Sequence, residues 1–322
     1  MMKLKNSLLL IGALCGSLYA QNTLKDAYEG AFHVGVALNE AQFSGRDSGG
    51  AQLAAAQFNS ISPENILKWE VVHPKPGVYN FGPADEYVAF GEKHGMQIIG
   101  HTLVWHNQVP KWVFEDEAGQ PLTRDALLAR MKDHIDHVVG RYKGRIEGWD
   151  VVNEAINEDG TMRKSRWEQI IGDDYIAKAF EYAHAADPGA KLHYNDYNMA
   201  TDEKRAGVIR LIRKLKEQGA QIDVAGMQCH LKLDRPPVEK TELAIVELSA
   251  TGVKIAITEL DIDVLPAATR AMNADVTRRD QARAELNPYA GGLTQDVADK
   301  LAARYAELFA VFLKHKDVVR RV

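Results

Sequence analysis

Cysteine is nearly missing from this sequence: 322 residues hold two, Cys15 and Cys229. A disulfide-stapled scaffold is excluded, so packing must supply the stability. Positive charge is not in excess either. Lys and Arg number 39 against 44 Asp and Glu, a net charge of −5, with no basic cluster. Such a chain offers little to a phosphate backbone or an anionic membrane surface, so no nucleic-acid or membrane partner is expected. Glycine and proline, 25 and 11, are too few for a low-complexity or collagen-like chain. No Pro/Ser/Gly-rich linker divides the sequence, which reads as a single soluble domain.

What is there begins with a leader. Lys3 and Lys5 precede an uncharged apolar run from Ser7 to Ala20, ending Leu18-Tyr19-Ala20. A charged start, a short apolar stretch and a small residue at the cut make an export signal. The run falls short of the roughly 20 residues of a membrane span. Leu14 before Cys15 argues against a lipid anchor. Residues 1–20 are therefore read as a signal peptide, with 21–322 exported as one secreted or periplasmic domain. Only Cys229 remains in that domain.

Beyond Asn22, short β-branched or apolar runs alternate with segments of helical period. Strands are expected over 32–37, 57–60, 97–101, 146–152, 191–195, 224–229 and 254–258. Pro83 opens a helix that stops before Gly95, and Thr123 caps another to about Val139. Asp173 starts a third, Thr201 caps a fourth that ends before Gly219, and the longest follows Thr294. The stretch 44–50, Ser-Gly-Arg-Asp-Ser-Gly-Gly, reads as a loop. Seven strands each followed by a helix imply parallel strands, and this length favours a (β/α)8 barrel over an open sheet. No G-x-G-x-x-G follows a strand, which counts against a dinucleotide fold.

A barrel carries its chemistry at the C-terminal ends of the strands. Polar residues collect there: His101 to Gln108, Trp149-Asp150-Val151-Val152-Asn153-Glu154, His193 to Asn198, Gln228 to His230, and Thr258-Glu259-Leu260-Asp261. Glu154 and Glu259 end strands three apart, across the barrel mouth. Two facing carboxylates suit glycosidic cleavage, one protonating the leaving oxygen and the other stabilising the oxocarbenium-like centre. The rings of Trp105, Trp149 and Tyr197 and the amides of Asn153, Asn195 and Gln228 suit sugar faces and hydroxyls. The competing reading is a metal-dependent barrel hydrolase using His101, His106 and His230. Against it, His33 is followed by Val34 and Gly35, so a His-x-His pair on the first strand is absent. No metal and no cofactor are expected.

Longer motifs carry a resemblance. Phe58-Asn59-Ser60-Ile61-Ser62-Pro63-Glu64-Asn65-Ile66-Leu67-Lys68-Trp69-Glu70 is followed by Pro76-Gly77-Val78-Tyr79-Asn80-Phe81 and Ala84-Asp85. His101-Thr102-Leu103-Val104-Trp105-His106, the Trp-Asp-Val-Val-Asn-Glu segment ending at Glu154, and Ile257-Thr258-Glu259-Leu260-Asp261 come next in order. Together, from about Thr23 onward, they resemble glycoside hydrolase family 10, the endo-β-1,4-xylanases.

The resemblance implies a retaining double displacement on xylan, with Glu154 as general acid/base and Glu259 as nucleophile. It implies that Asn153 binds the sugar 2-hydroxyl and that His230, supported by Asp261, orients Glu259 and keeps it ionised. Glu64, Asn65, Lys68, His101, Trp105 and Gln108 would grip the non-reducing side, and Tyr197 and Gln228 would line the remaining wall. A surface ion pair is the alternative for Glu64 and Lys68. The partner is xylan or a xylo-oligosaccharide, and the protein is expected to be a monomer. One departure stands out. The sequence ends Lys316-Asp317-Val318-Val319-Arg320-Arg321-Val322, where an eighth strand should begin. The eighth β/α unit is thus expected to be truncated, leaving open strand edges, a tendency to aggregate and weak activity. Under that expectation a barrel that binds xylan without cleaving it is the alternative function.

Overall fold

Apolar runs with turn residues on either side form the strands of a barrel, in a computed structural model that describes residues 23–265 and 287–322. The expected leader, 1–20, lies outside the described residues. In chain order the strands are β1 Gly35–Leu38, β2 Ser60–Pro63, β3 Gln97–Val104, β4 Gly148–Asn153 and β5 Lys191–Asp196. There follow β6 Val224–Met227, β7 His230–Lys232, β8 Lys254–Ile257, β9 Asp261–Asp263 and β10 Val319–Arg321. Eight of them pair in the order β1-β2-β3-β4-β5-β6-β8-β10, each pair parallel. The remaining two, β7 and β9, pair with each other just beyond the ends of β6 and β8. This is the expected (β/α)8 barrel.

The end of the chain corrects one expectation. An eighth strand is present: Val319 pairs with Ile255 and Arg321 with Ala256. It also meets the start of the barrel. The His33 N–H donates to Arg320 O at 3.1 Å, Val322 N–H to His33 O at 2.9 Å, and Gly35 N–H to Val322 O at 2.7 Å. Both edges expected to stand open are therefore joined. The strand is short, with two arginines set among Val318, Val319 and Val322, and of the two Arg321 is buried.

Between the strands lie the helices. Gly82–Lys93 has its proline in the first turn, and Gly95 follows at φ 61°. Thr123 caps Arg124–Arg141 by accepting from the Ala126 N–H at 3.3 Å. Thr201 precedes Asp202–Glu217, but its hydroxyl donates to Asn198 O at 2.9 Å instead of capping. Part of the supposed 44–50 loop is helical, because Asp47 accepts from the Gly50 N–H at 2.9 Å and opens Ser48–Gln57. Gln295–Lys314 buries Leu308, Val311 and Phe312 against the barrel.

Side chains fill the barrel. Trp149 is fully buried, and its indole lies over Gly100, its register partner in β3, leaving no room for a β-carbon. The buried Tyr87 hydroxyl sits 2.8 Å from Ile61 O and 2.9 Å from Ile99 O, sharing its one proton between β2 and β3 and tying a helix to both. This packed interior sets the strand ends at fixed positions around the mouth.

Candidate active site

Four non-glycine residues among those described have a positive φ: Gln108, Glu154, Asn198 and Cys229. Each follows the C-terminal end of one of the consecutive strands β3, β4, β5 and β6. Left-handed backbone is costly for such residues, and its clustering at one end of a barrel marks a built site.

Glu154 leaves β4 at φ 57°. Its Oε1 accepts from Gln228 Nε2 at 3.1 Å and Asn153 Nδ2 at 3.3 Å, and its Oε2 from Trp105 Nε1 at 3.0 Å. Glu259 follows β8. Its Oε1 accepts from Asn195 Nδ2 at 2.8 Å, and its Oε2 bonds His230 Nε2 at 3.2 Å. One amide cluster joins the two carboxyls, because Asn153 Oδ1 accepts from both Asn195 Nδ2 at 3.0 Å and Gln228 Nε2 at 3.3 Å.

The environment of Glu259 favours its charge. Partial desolvation in the cleft opposes ionisation, but the His230 hydrogen bond, the nearby His101 and His230 rings and the Asn195 donor outweigh it. The carboxyl is held below its ordinary value. His230 shows the mirror effect. Desolvation works against its charge, yet bonds to Asp261 and Glu259 push the imidazole up to about 10. Its Nδ1 lies 2.7 Å from Asp261 Oδ2, so at neutral pH both ring N–H groups donate to carboxylates.

A second cluster lies beside Trp105. Lys68 Nζ donates to Gln108 Oε1 at 2.9 Å and Asn65 Oδ1 at 3.0 Å, and sits 5.1 Å from the Trp105 ring centroid. Lys68 is 5% exposed, which sets aside the surface-pair alternative for it. Glu64 is half-buried and lines a cleft of about 730 Å³ together with Lys68, His101, His230, Glu259 and Asp261. Glu154, Asn153 and Trp105 pack together with Arg163 and the buried Trp167 and Tyr175. Tyr197 stands behind Glu154, its hydroxyl accepting from Arg163 Nη2 at 3.1 Å.

The thirteen residues given site roles gather at this end of the barrel, but Trp149, expected to face a sugar, is instead fully buried over Gly100 in the barrel interior, because the barrel core needs its bulk. Two further residues of the same strand ends, Asn195 and Asp150, are equally central. Asn195 had been placed among the sugar-binding amides, but it links Asn153 to Glu259 and accepts from Thr258 Oγ1 at 2.7 Å. Asp150, buried, accepts from His101 Nδ1 at 2.9 Å and His193 Nδ1 at 3.2 Å. Burial works against its charge, and the two histidines hold its carboxyl well below the usual range. The histidines weighed as metal ligands are separately engaged: His101 by Asp150, His106 by Asn107 and His230 by the two carboxylates.

The family model for glycosyl hydrolase family 10 matches residues 23–322. The chain belongs to glycosyl hydrolase family 10. Among curated relatives of this family-10 glycoside hydrolase, an endo-1,4-beta-xylanase A of Xylanibacter ruminicola is 42% identical over 302 residues, covering 94% of this chain and 82% of the relative. An endo-1,4-beta-xylanase of Geobacillus stearothermophilus is 38% identical, covering 96% and 87%. A solved family-10 endoxylanase from a sugarcane soil metagenome superposes with a TM-score of 0.87 at 45% identity, covering 94% of this chain and 87% of that one.

Proposed function

We propose that this glycoside hydrolase cleaves internal β-1,4-xylosidic bonds of xylan with retention of anomeric configuration. The observation that carries the reading is the pair of strand-end glutamates on one amide cluster, of which Glu259 alone is bonded to a cationic histidine. Glu259 attacks the anomeric carbon while Glu154 gives its proton to the departing glycosidic oxygen. The sugar is then held as an ester on Glu259. Glu154, now a carboxylate, takes a proton from water, the water oxygen attacks the same carbon, and Glu259 leaves. Asn153 and Asn195 lie between the carboxylates, where the 2-hydroxyl of the reacting sugar needs a partner. The Lys68–Asn65–Gln108 cluster and the Trp105 ring receive the sugars next to it.

Names of relatives support the substrate. Two solved structures of a xylanase from Thermoanaerobacterium saccharolyticum, 36% and 37% identical, hold xylotriose and xylotetraose. A relative from Acetivibrio thermocellus, 37% identical, is named an exoglucanase, so soluble cellulose belongs beside xylan in any assay. The reading includes export through residues 1–20 and action as a monomer without a cofactor. Incubation with each polysaccharide, counting new reducing ends, tests the substrate. Rapid cleavage of xylan with a sharp early fall in viscosity is expected. NMR of the first product should show the β anomer, and the α anomer would overturn the double displacement.

A further inference from the structure

The strained backbone at Glu154 has an unusual set of partners. Its N–H donates to Asn195 O at 2.9 Å, and its carbonyl accepts from Arg163 Nε at 2.8 Å. The next N–H, of Ala155, donates to the Tyr194 hydroxyl at 3.0 Å, and the Ala155 carbonyl accepts from the Arg163 N–H at 2.8 Å. Ile156 O accepts from Lys204 Nζ at 2.5 Å. The Glu154 N–H continues the β4–β5 ladder, whereas the Glu154 carbonyl and both groups of Ala155, with Ile156 O, are held from outside it.

The holders are themselves fixed. Lys204 and Asp196 are fully buried and paired at 2.8 Å, and the Tyr194 hydroxyl donates to the other Asp196 oxygen at 2.5 Å. Lys204 Nζ also sits 4.0 Å from the Tyr197 ring centroid, and Tyr197 is bonded to Arg163. A buried ion pair is a poor source of net stability but a strict fixer of geometry. Of these partners Asn195 alone reaches Glu259, through its side chain; Arg163, Tyr194, Lys204 and Asp196 hold only the Glu154 side.

We propose that Arg163, Tyr194 and the Lys204–Asp196 pair are positioning residues that lock residues 154–156 and so aim the Glu154 carboxyl at the leaving oxygen. They act through the backbone of Glu154 and leave the nucleophile alone. The inference rests on Glu154 being the acid, and the test separates the two ideas.

Arg163→Gln, Tyr194→Phe and Glu154→Ala are compared with the parent protein on aryl β-xylobiosides of graded leaving-group pKa, reading kcat/KM. Departure of a dinitrophenolate needs no acid, whereas an alkylphenolate or a sugar does. The Glu154→Ala series should fall steeply as the leaving group worsens. The two positioning variants should follow the same trend more weakly, losing on the order of 10-fold to 100-fold on xylan while staying within about twofold on the dinitrophenyl substrate. Equal loss across all leaving groups in Arg163→Gln, alongside a steep Glu154→Ala series, overturns the proposal. A flat Glu154→Ala series overturns the acid assignment instead. Tyr194 is fully buried, so its variant is checked by thermal unfolding; Arg163 is only half-buried and decides the matter if Tyr194→Phe does not fold.

Discussion

At the scale of single residues, the two glutamates differ by their partners. Glu154 receives neutral donors only, from two amides and an indole, whereas Glu259 receives an amide and a cationic imidazole. Glu259→Gln should bring turnover below detection with every substrate, because no carboxylate remains to attack. Glu154→Ala should lose roughly 10²- to 10⁴-fold on substrates with poor leaving groups and regain part of it with azide, which replaces the activated water. A steady-state assay with and without azide checks both. His230 gives a prediction in pH. It lowers the Glu259 carboxyl, and catalysis needs that carboxyl ionised, so the rate is lost as pH falls through its pKa. His230→Asn removes the lowering influence. The acid limb of the kcat/KM profile should therefore move to higher pH, and a limb that stays in place would remove His230 from this role.

Elements were legible where their pattern was local. Alternation of strand and helix, the Pro83 start and the Thr123 cap all lie within a few residues of what they determine. The two glutamates were legible for the same reason, since Glu154 and Glu259 come at the ends of the apolar strands β4 and β8. Strand limits were less so: the second strand is Ser60–Pro63, three residues beyond the expected 57–60, because Ser60 and Ser62 occupy strand positions that composition assigns to a turn. Partners across the barrel left no local mark. The Asp150–His193 bond joins residues 43 apart, and the Arg163 and Lys204 contacts come from loop and helix onto residues 154–156, just past β4. At this scale the sharpest constraint is the pairing of Gly100 with Trp149. Gly100→Ala must displace a buried indole, an overpacking that costs about 1–3 kcal/mol. A lower urea midpoint with an unchanged slope checks it, whereas no change in midpoint would mean that the ring has room to move.

For the whole molecule, the decisive fact is how the barrel closes. Three residues of β10 bridge β8 and the chain entering β1, so a small strand completes a ring of eight. Closure removes the exposed backbone groups that invite edge-to-edge association. Residues 23–322 should accordingly remain soluble and unfold in one cooperative step, in contrast to the aggregation expected for a seven-stranded sheet. The seam itself provides the test. Val319 is fully buried, whereas Arg320 beside it is exposed. If β10 closes the barrel, Val319→Ala leaves a void between the first and last strands and should cost about 1–3 kcal/mol. Arg320→Ala removes an exposed side chain and should stay within about 0.5 kcal/mol of the parent. Both are read from urea unfolding followed by tryptophan fluorescence and by circular dichroism. Coincident curves with only Val319→Ala shifted would confirm a closed, single cooperative unit. Equal, negligible shifts for the two variants would mean that the last strand is not part of the folded ring in solution, and the open-edged barrel would have to be reinstated.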